Sequence, residues 1–170
     1  MKKPTQAETE DEVISTPMRN ADGFRFDMVE QLFFAYRDFT KGPDIILSDL
    51  GFGRAHHRVL YFVNRVPGIR VTDLLGILNI TKQSLARVLK DLIESQFIVQ
   101  RSSPSDRRER LLYPTKKGRD LALALSESQS RRIEQALEEV GPVGAQAAKK
   151  FLQLLIDEAD QSTIRRLEEM

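Results

Sequence analysis

The chain has 170 residues, 41% hydrophobic and 30% charged, a make-up that suits one globular domain with its own core. It holds no cysteine, which excludes disulfides, thiolate nucleophiles, thiol redox sensing and Cys-ligated zinc. The formal net charge of +1 conceals a cationic centre, because residues 54–119 carry 14 Lys and Arg against 5 Asp and Glu, net +9, while residues 1–53 and 120–170 each carry 6 against 10, net −4.

Residues 1–22 include Glu8, Glu10, Asp11 and Glu12 with few large apolar groups, and read as a mobile acidic tail. From Phe24 to Lys41, Met28, Val29, Leu32, Phe33, Tyr36 and Phe39 recur at helical steps, and Gly42-Pro43 is expected to end this first helix. A second helix is expected over Ala55–Val66, with Val59, Leu60, Phe62 and Val63 inward and Pro67-Gly68 as its stop. Two short helices follow, Val71–Leu78 and Thr81–Gln96, separated only by Asn79-Ile80. Asn tolerates the left-handed backbone of so tight a turn. Thr81 is a good N-cap for the second of the pair, whereas Arg70 stands where the first would be capped and Asp73 favours the positive end of that helix.

Phe97-Ile98-Val99 and Leu111-Leu112-Tyr113 read as the two strands of a hairpin around a polar loop over 102–109. Thr115 caps a long helix to about Glu139, Gly141-Pro142 breaks it, and a last helix is expected from Val143 towards Leu167. No run approaches the roughly 18 apolar residues of a membrane helix, and Lys2-Lys3 leads into polar and acidic residues, not a signal-peptide core. A cytoplasmic protein with no membrane partner is the expectation.

In the helix from Thr81, Leu85, Leu89, Leu92 and Ile93 form the inward stripe, and Lys82, Gln83, Ser84, Arg87 and Lys90 the opposite face. Such a helix fits the major groove, where Gln reads adenine, Arg reads guanine, and Ser or Lys takes phosphates or base edges. Gln83, Ser84 and Arg87, near its start, are the expected base readers. The hairpin loop Ser105-Asp106-Arg107-Arg108-Glu109-Arg110 offers three arginines suited to the narrow, electronegative minor groove. Asp106 opposes DNA binding unless it has another task, and the expectation is that its carboxylate holds the Arg108 guanidinium in place. A solvated polar face is the usual reading of any one such helix, but the preceding turn and helix have helix-turn-helix spacing.

On these residues the chain resembles the MarR family of winged-helix regulators. The match runs over about residues 24–165 and rests on Val71–Phe97 with its Thr81-Lys82-Gln83-Ser84-Leu85-Ala86-Arg87 core, the wing Asp106-Arg107-Arg108, and Thr115-Lys116-Lys117-Gly118. The resemblance implies a mainly α fold with a small β-hairpin wing, in which Arg108 enters the minor groove and Asp106 supports it. It implies a homodimer whose first and last helices interlock. Residues 23–170 then form one domain, with a winged-helix lobe over 54–119 and dimerisation helices over 23–42 and 116–167. Two departures are Arg70 in place of a small capping residue and Pro114 in place of an apolar one.

The apolar positions of the last helices, with Phe24, Phe26, Phe33, Phe34 and Phe39, exceed what a small winged module can cover, which independently favours a two-fold interface and an inverted-repeat operator. The expected DNA-contacting set is Thr81, Lys82, Gln83, Ser84, Arg87, Lys90, Arg107, Arg108 and Arg110. The resemblance also implies a small aromatic or anionic effector, for which Tyr36, His57 and Tyr61 offer apolar bodies with polar tips. His56 and His57 are adjacent and point about 100° apart on a helix, which is wrong for a shared metal. No nucleophile, base and orienting group can be assembled, so neither enzyme, cofactor nor metal is expected. The rival reading is a winged helix that binds protein, which predicts apolar residues on the reading face.

Overall fold

The computed structural model describes residues 15–20 and 23–168. Of the expected acidic tail, residues 1–14, 21 and 22 lie outside the described residues, and residues 15–20 are exposed. The elements in order are α1 (Phe26–Ser48), α2 (Arg54–Arg65), β1 (Ile69–Arg70), α3 (Val71–Leu78), α4 (Lys82–Glu94), β2 (Ile98–Ser102), β3 (Arg110–Pro114), α5 (Lys116–Leu154) and α6 (Glu158–Glu168). The fold is mainly helical with one small sheet. The chain divides into two units, Met1–Tyr36 and Arg37–Met170.

In the first unit the start of α1 is set locally. Asn20 Oδ1 accepts the Asp27 amide at 3.3 Å, Arg25 pairs with Asp27 at 2.9 Å, and the Phe24 and Phe26 rings lie 5.4 Å apart. Beyond this start, α1 presents its large apolar groups outward: Val29 is 63% and Phe33 65% exposed.

In the second unit, Gly42-Pro43 does not end α1, which continues to Ser48. Proline removes one amide and leaves the carbonyl four residues back without its helical donor. That carbonyl, of Phe39, is met by Gln129 Nε2 of α5 at 3.4 Å, and Pro43 itself is fully buried. Packing against α5 thus offsets what the local rule costs: a Cβ on Gly42 would stand 2.7 Å from Ser128 Oγ.

Leu47 of α1, Val59, Leu60 and Val63 of α2, Leu74 of α3, Leu85 and Leu92 of α4, and Ile98, Leu112 and Leu125 share one core, each 0–1% exposed. Each such side chain contributes about 1.5–3 kcal/mol by leaving water, so the core fixes the relative placement of α2, α3, α4 and the sheet. The sheet has three strands in the order β1-β3-β2, both pairings antiparallel, with Ile69 opposite Leu112 and Ile98 opposite Pro114. The sequence reading contained the hairpin but not β1, a two-residue strand directly before α3.

Thr115 caps α5 by accepting the Gly118 amide at 3.0 Å, and donates its hydroxyl hydrogen to the Gln96 carbonyl at 2.7 Å. Gln96 itself lies in the left-handed region at φ 62. Gly118 is required by space: a Cβ there would stand 1.9 Å from the Phe97 carbonyl oxygen. The expected break at Gly141-Pro142 is present as a kink with Gly141 at φ 68, ψ 178. The expected single helix from Val143 towards Leu167 is instead interrupted after Leu154, and α6 restarts at Glu158. Its first turn carries Glu158 and Asp160, which suit a helix N-terminus, and the Asp157 carbonyl accepts the Asp160 amide at 2.9 Å.

Candidate nucleic-acid interface

The α3-turn-α4 unit forms as its residues dictate. Asn79 takes the left-handed conformation, φ 48 and ψ 49, directly after Leu78. Thr81 Oγ1 accepts the Ser84 amide at 3.1 Å and donates to Ser84 Oγ at 2.9 Å. The Thr81 hydroxyl is therefore committed to the cap, while the Ser84 hydroxyl keeps its own hydrogen to donate outward. Leu85, Val88, Leu89 and Leu92 turn α4 inward. Lys82, Gln83, Ser84, Arg87 and Lys90 are all exposed on the other side. Among the described residues, Lys82, Gln83 and Arg87 have no side-chain hydrogen bond or ion pair, and Lys90 has a loose contact with Glu94 at 3.8 Å.

Two tethers hold α4 from behind. His56 of α2 accepts the Gly53 amide on Nδ1 at 3.1 Å, which leaves the hydrogen on Nε2 to face Asp91 of α4 at 3.2 Å. Its ring stacks on Phe52 at 4.6 Å. Lys117 of α5 donates to the Ser95 carbonyl at 2.9 Å, beyond the last turn of α4, with its ammonium 4.2 Å above the Phe97 ring.

The wing is built by short polar bonds. Asp106 Oδ1 accepts the backbone amide of Arg108 at 2.8 Å, and the Asp106 carbonyl accepts the Glu109 amide at 2.9 Å. This corrects the expectation that the carboxylate grips the guanidinium. An aspartate reaches the amide two residues on without strain, which fixes the turn and leaves the long arginine side chain outside it. Among the described residues the Arg107 and Arg108 guanidinium groups make no hydrogen bond or ion pair, and both residues are exposed. Arg110 differs from them: it is the first residue of β3, and its Nη1 donates to Ser102 Oγ across the hairpin.

The wing, α3 and α4 border one open groove of about 630 Å³. Its floor is apolar, with Leu75, Leu85, Leu89 and Ile93, and its rim holds Arg70, Lys82, Lys90, Arg108 and Arg110. Sequence reasoning missed one contact on that rim: Arg70 Nε lies 3.2 Å from Glu109 Oε1 and 4.0 Å from Asp73 Oδ2. The signal was an arginine at the cap position of α3, where it makes no capping bond.

The expected effector residues fall in different surroundings. Tyr36, in the first unit, is 56% exposed. Tyr61 borders a cavity of about 440 Å³ between α2 and α5, with Asn64, Arg65, Arg119 and Ser126. His57 does not line that cavity; it is half-buried on α2, and its imidazole is held below the ordinary value by desolvation, partly opposed by Asp44. Among the described residues no cluster of three or more His, Asp or Glu could hold a metal, and no helix is long and apolar enough to cross a membrane.

Residues 50–109 match the model of the MarR family. The chain is 44% identical over 131 residues to the HTH-type transcriptional regulator PetP of Rhodobacter capsulatus, covering 77% of this chain and 79% of that protein. Among solved structures it superposes on a MarR variant from E. coli complexed with operator DNA, with a TM-score of 0.60, 17% identity, and coverage of 77% of this chain and 94% of that one. It superposes likewise on a MarR family regulator from Listeria monocytogenes complexed with 26mer DNA, with a TM-score of 0.66, 18% identity, and coverage of 83% and 93%. With a winged helix of this form and a relative this similar along most of both chains, the protein belongs to the MarR family of transcriptional regulators.

Proposed function

We propose that the chain is a sequence-specific DNA-binding regulator that acts as a homodimer on an inverted-repeat operator, with α4 in the major groove and the wing in the minor groove. The carrying observation is that Lys82 and Lys90 of α4 and Arg108 of the wing border the same groove, while Gln83 and Arg87 are exposed on the same helix and, among the described residues, make no side-chain hydrogen bond or ion pair. In this reading Gln83, Ser84 and Arg87 read base edges, Lys82 and Lys90 meet phosphates, and Arg107 and Arg108 serve the minor groove. Thr81 and Asp106 position their neighbours. Arg110, tied to Ser102, meets the phosphate backbone at the wing base.

Residues 54–119 are the DNA-binding lobe, and the helices of 23–42 and 116–167 bury their apolar faces against a second copy. Val143 at 83% exposed, Leu154 at 69%, and Phe33 at 65% in the first unit support a protein partner for these surfaces. Repression follows where such a dimer occupies a promoter. The cavity beside Tyr61, flanked by Arg65 and Arg119, is the place we assign to a small anionic effector.

Fluorescence anisotropy with a labelled duplex from the protein's own promoter, titrated over a salt series, tests the reading. Binding should weaken linearly in log–log form with a slope set by the number of phosphates neutralised. No duplex binding at any salt would leave the winged helix as a protein-interaction module.

A further inference from the structure

We infer that Arg70 and Glu109 form a strut that fixes the wing relative to the reading helix, which makes Arg70 a positioning residue for operator recognition; this rests on the DNA-binding reading above. Arg70 stands at a junction. Its backbone is the second residue of β1, paired with Leu111 of β3, and it is also the residue from which α3 departs. A Ser, Thr or Asp there would cap α3; the arginine caps nothing and instead reaches Glu109 Oε1 at 3.2 Å.

Glu109 is equally out of place on electrostatic grounds alone. It lies between Arg108 and Arg110 on a surface that would face phosphates, where a carboxylate repels the ligand. It is also built into the turn: its amide donates to the Asp106 carbonyl at 2.9 Å, and its carbonyl accepts the Ser103 amide at 3.1 Å. Holding the Glu109 side chain therefore holds the turn that carries Arg108. The base of the hairpin is tied to this region by the two residue pairs between β1 and β3 and by Leu74 of α3 sharing the core with Leu112, whereas the Arg70–Glu109 pair reaches the turn itself. Both partners, together with Asp106, Arg108 and Lys82, line the groove between wing and α4, so the strut acts on the spacing of the two surfaces that must enter neighbouring grooves.

The decisive variant is Glu109→Gln, which removes a negative charge from the interface. If phosphate attraction alone set affinity, it would strengthen binding to every duplex. The strut predicts the reverse for the operator: about three- to five-fold weaker binding to the promoter duplex, the scale of one part-exposed ion pair, with binding to a scrambled duplex unchanged or tighter. Arg70→Gln should lose operator affinity, and the double variant should be no worse than Arg70→Gln alone, because the two changes remove one interaction. Amide hydrogen exchange of the free protein supplies a readout without DNA: Glu109→Gln should speed exchange at the Ser103 and Glu109 amides and leave α4 unchanged. Equal strengthening on both duplexes, additive losses in the double variant, or unaltered wing exchange would each overturn the strut. A wild-type protein that binds no duplex would instead overturn the DNA-binding reading, and the exchange rates would then decide the strut by themselves.

Discussion

Gly118→Ala adds one methyl group at the point where α5 leaves the wing. The new Cβ would sit 1.9 Å from the Phe97 carbonyl oxygen and 2.9 Å from its carbon, so about 1.5 Å of separation must be found to reach the 3.4 Å of ordinary contact. The obstacle cannot swing aside. Phe97 is 4% exposed, its amide donates to the Leu92 carbonyl at 2.8 Å, and its carbonyl accepts the Thr115 amide at 3.1 Å. The first turn of α5 must retreat, stretching the Thr115 bond and the one from Asn64 Nδ2 to the Gly118 carbonyl at 3.5 Å. Misfit of about 1–3 kcal/mol and one or two hydrogen bonds near 1 kcal/mol each outweigh the roughly 1 kcal/mol by which alanine favours a helix over glycine. The net loss is about 1–4 kcal/mol, a fall in Tm of about 2–16 °C for a chain of this size. Gly76 is the control, a glycine inside α3 with nothing within 4 Å of an added Cβ. Gly76→Ala should raise Tm by about 2–4 °C. Thermal melts followed by circular dichroism at equal protein concentration measure both. A Gly118→Ala protein that melts at or above the wild type would refute the docking of α5 on Phe97.

Other expectations concern the interface and its surroundings. Arg108→Ala should weaken promoter binding by at least ten-fold, and Asp106→Ala should weaken it too although it removes a negative charge, because the Arg108 amide loses its acceptor. Asp106→Asn keeps an oxygen in that place and should restore most of the binding in the same anisotropy assay. Gln83→Ala should relax preference at one base pair, by about 1–3 kcal/mol, seen when single-substitution duplexes are compared. Burial pushes the His57 imidazole below its ordinary value of 6.5, so as the pH falls the unfolded chain takes up the proton first. Stability that is fully present above pH 6.5 should therefore fall as the pH drops through the folded value, and His57→Gln should flatten that part of a urea-melt series.

Where a residue acts on its neighbours, the sequence was sufficient. The Asn79 turn, the Thr81 cap and the amide bond of the Thr115 cap are closed within a few residues, and the inward leucines of α4 follow the helical period. Where a distant partner decides, local rules misled. Gly42-Pro43 reads as a stop, but Gln129, 90 positions away from Phe39, reaches the carbonyl that proline leaves bare. Strand β1 is too short to show a period and exists because β3 offers it an edge. The Arg70–Glu109 pair joins residues 39 apart, and an arginine at the cap position of α3 marks one partner without pointing to the other. Asp106 lies between: the residue and its target were legible, but the choice of amide over guanidinium needed the turn geometry.

Dimethyl sulfate interference on the promoter duplex tests the central claim most directly, because one reagent marks guanine N7 in the major groove and adenine N3 in the minor groove. The account predicts that protein-bound DNA is depleted of methylated guanines where α4 lies and of methylated adenines about five base pairs away where the wing lies, the pair recurring as an inverted repeat. Interference confined to a single groove would contradict it.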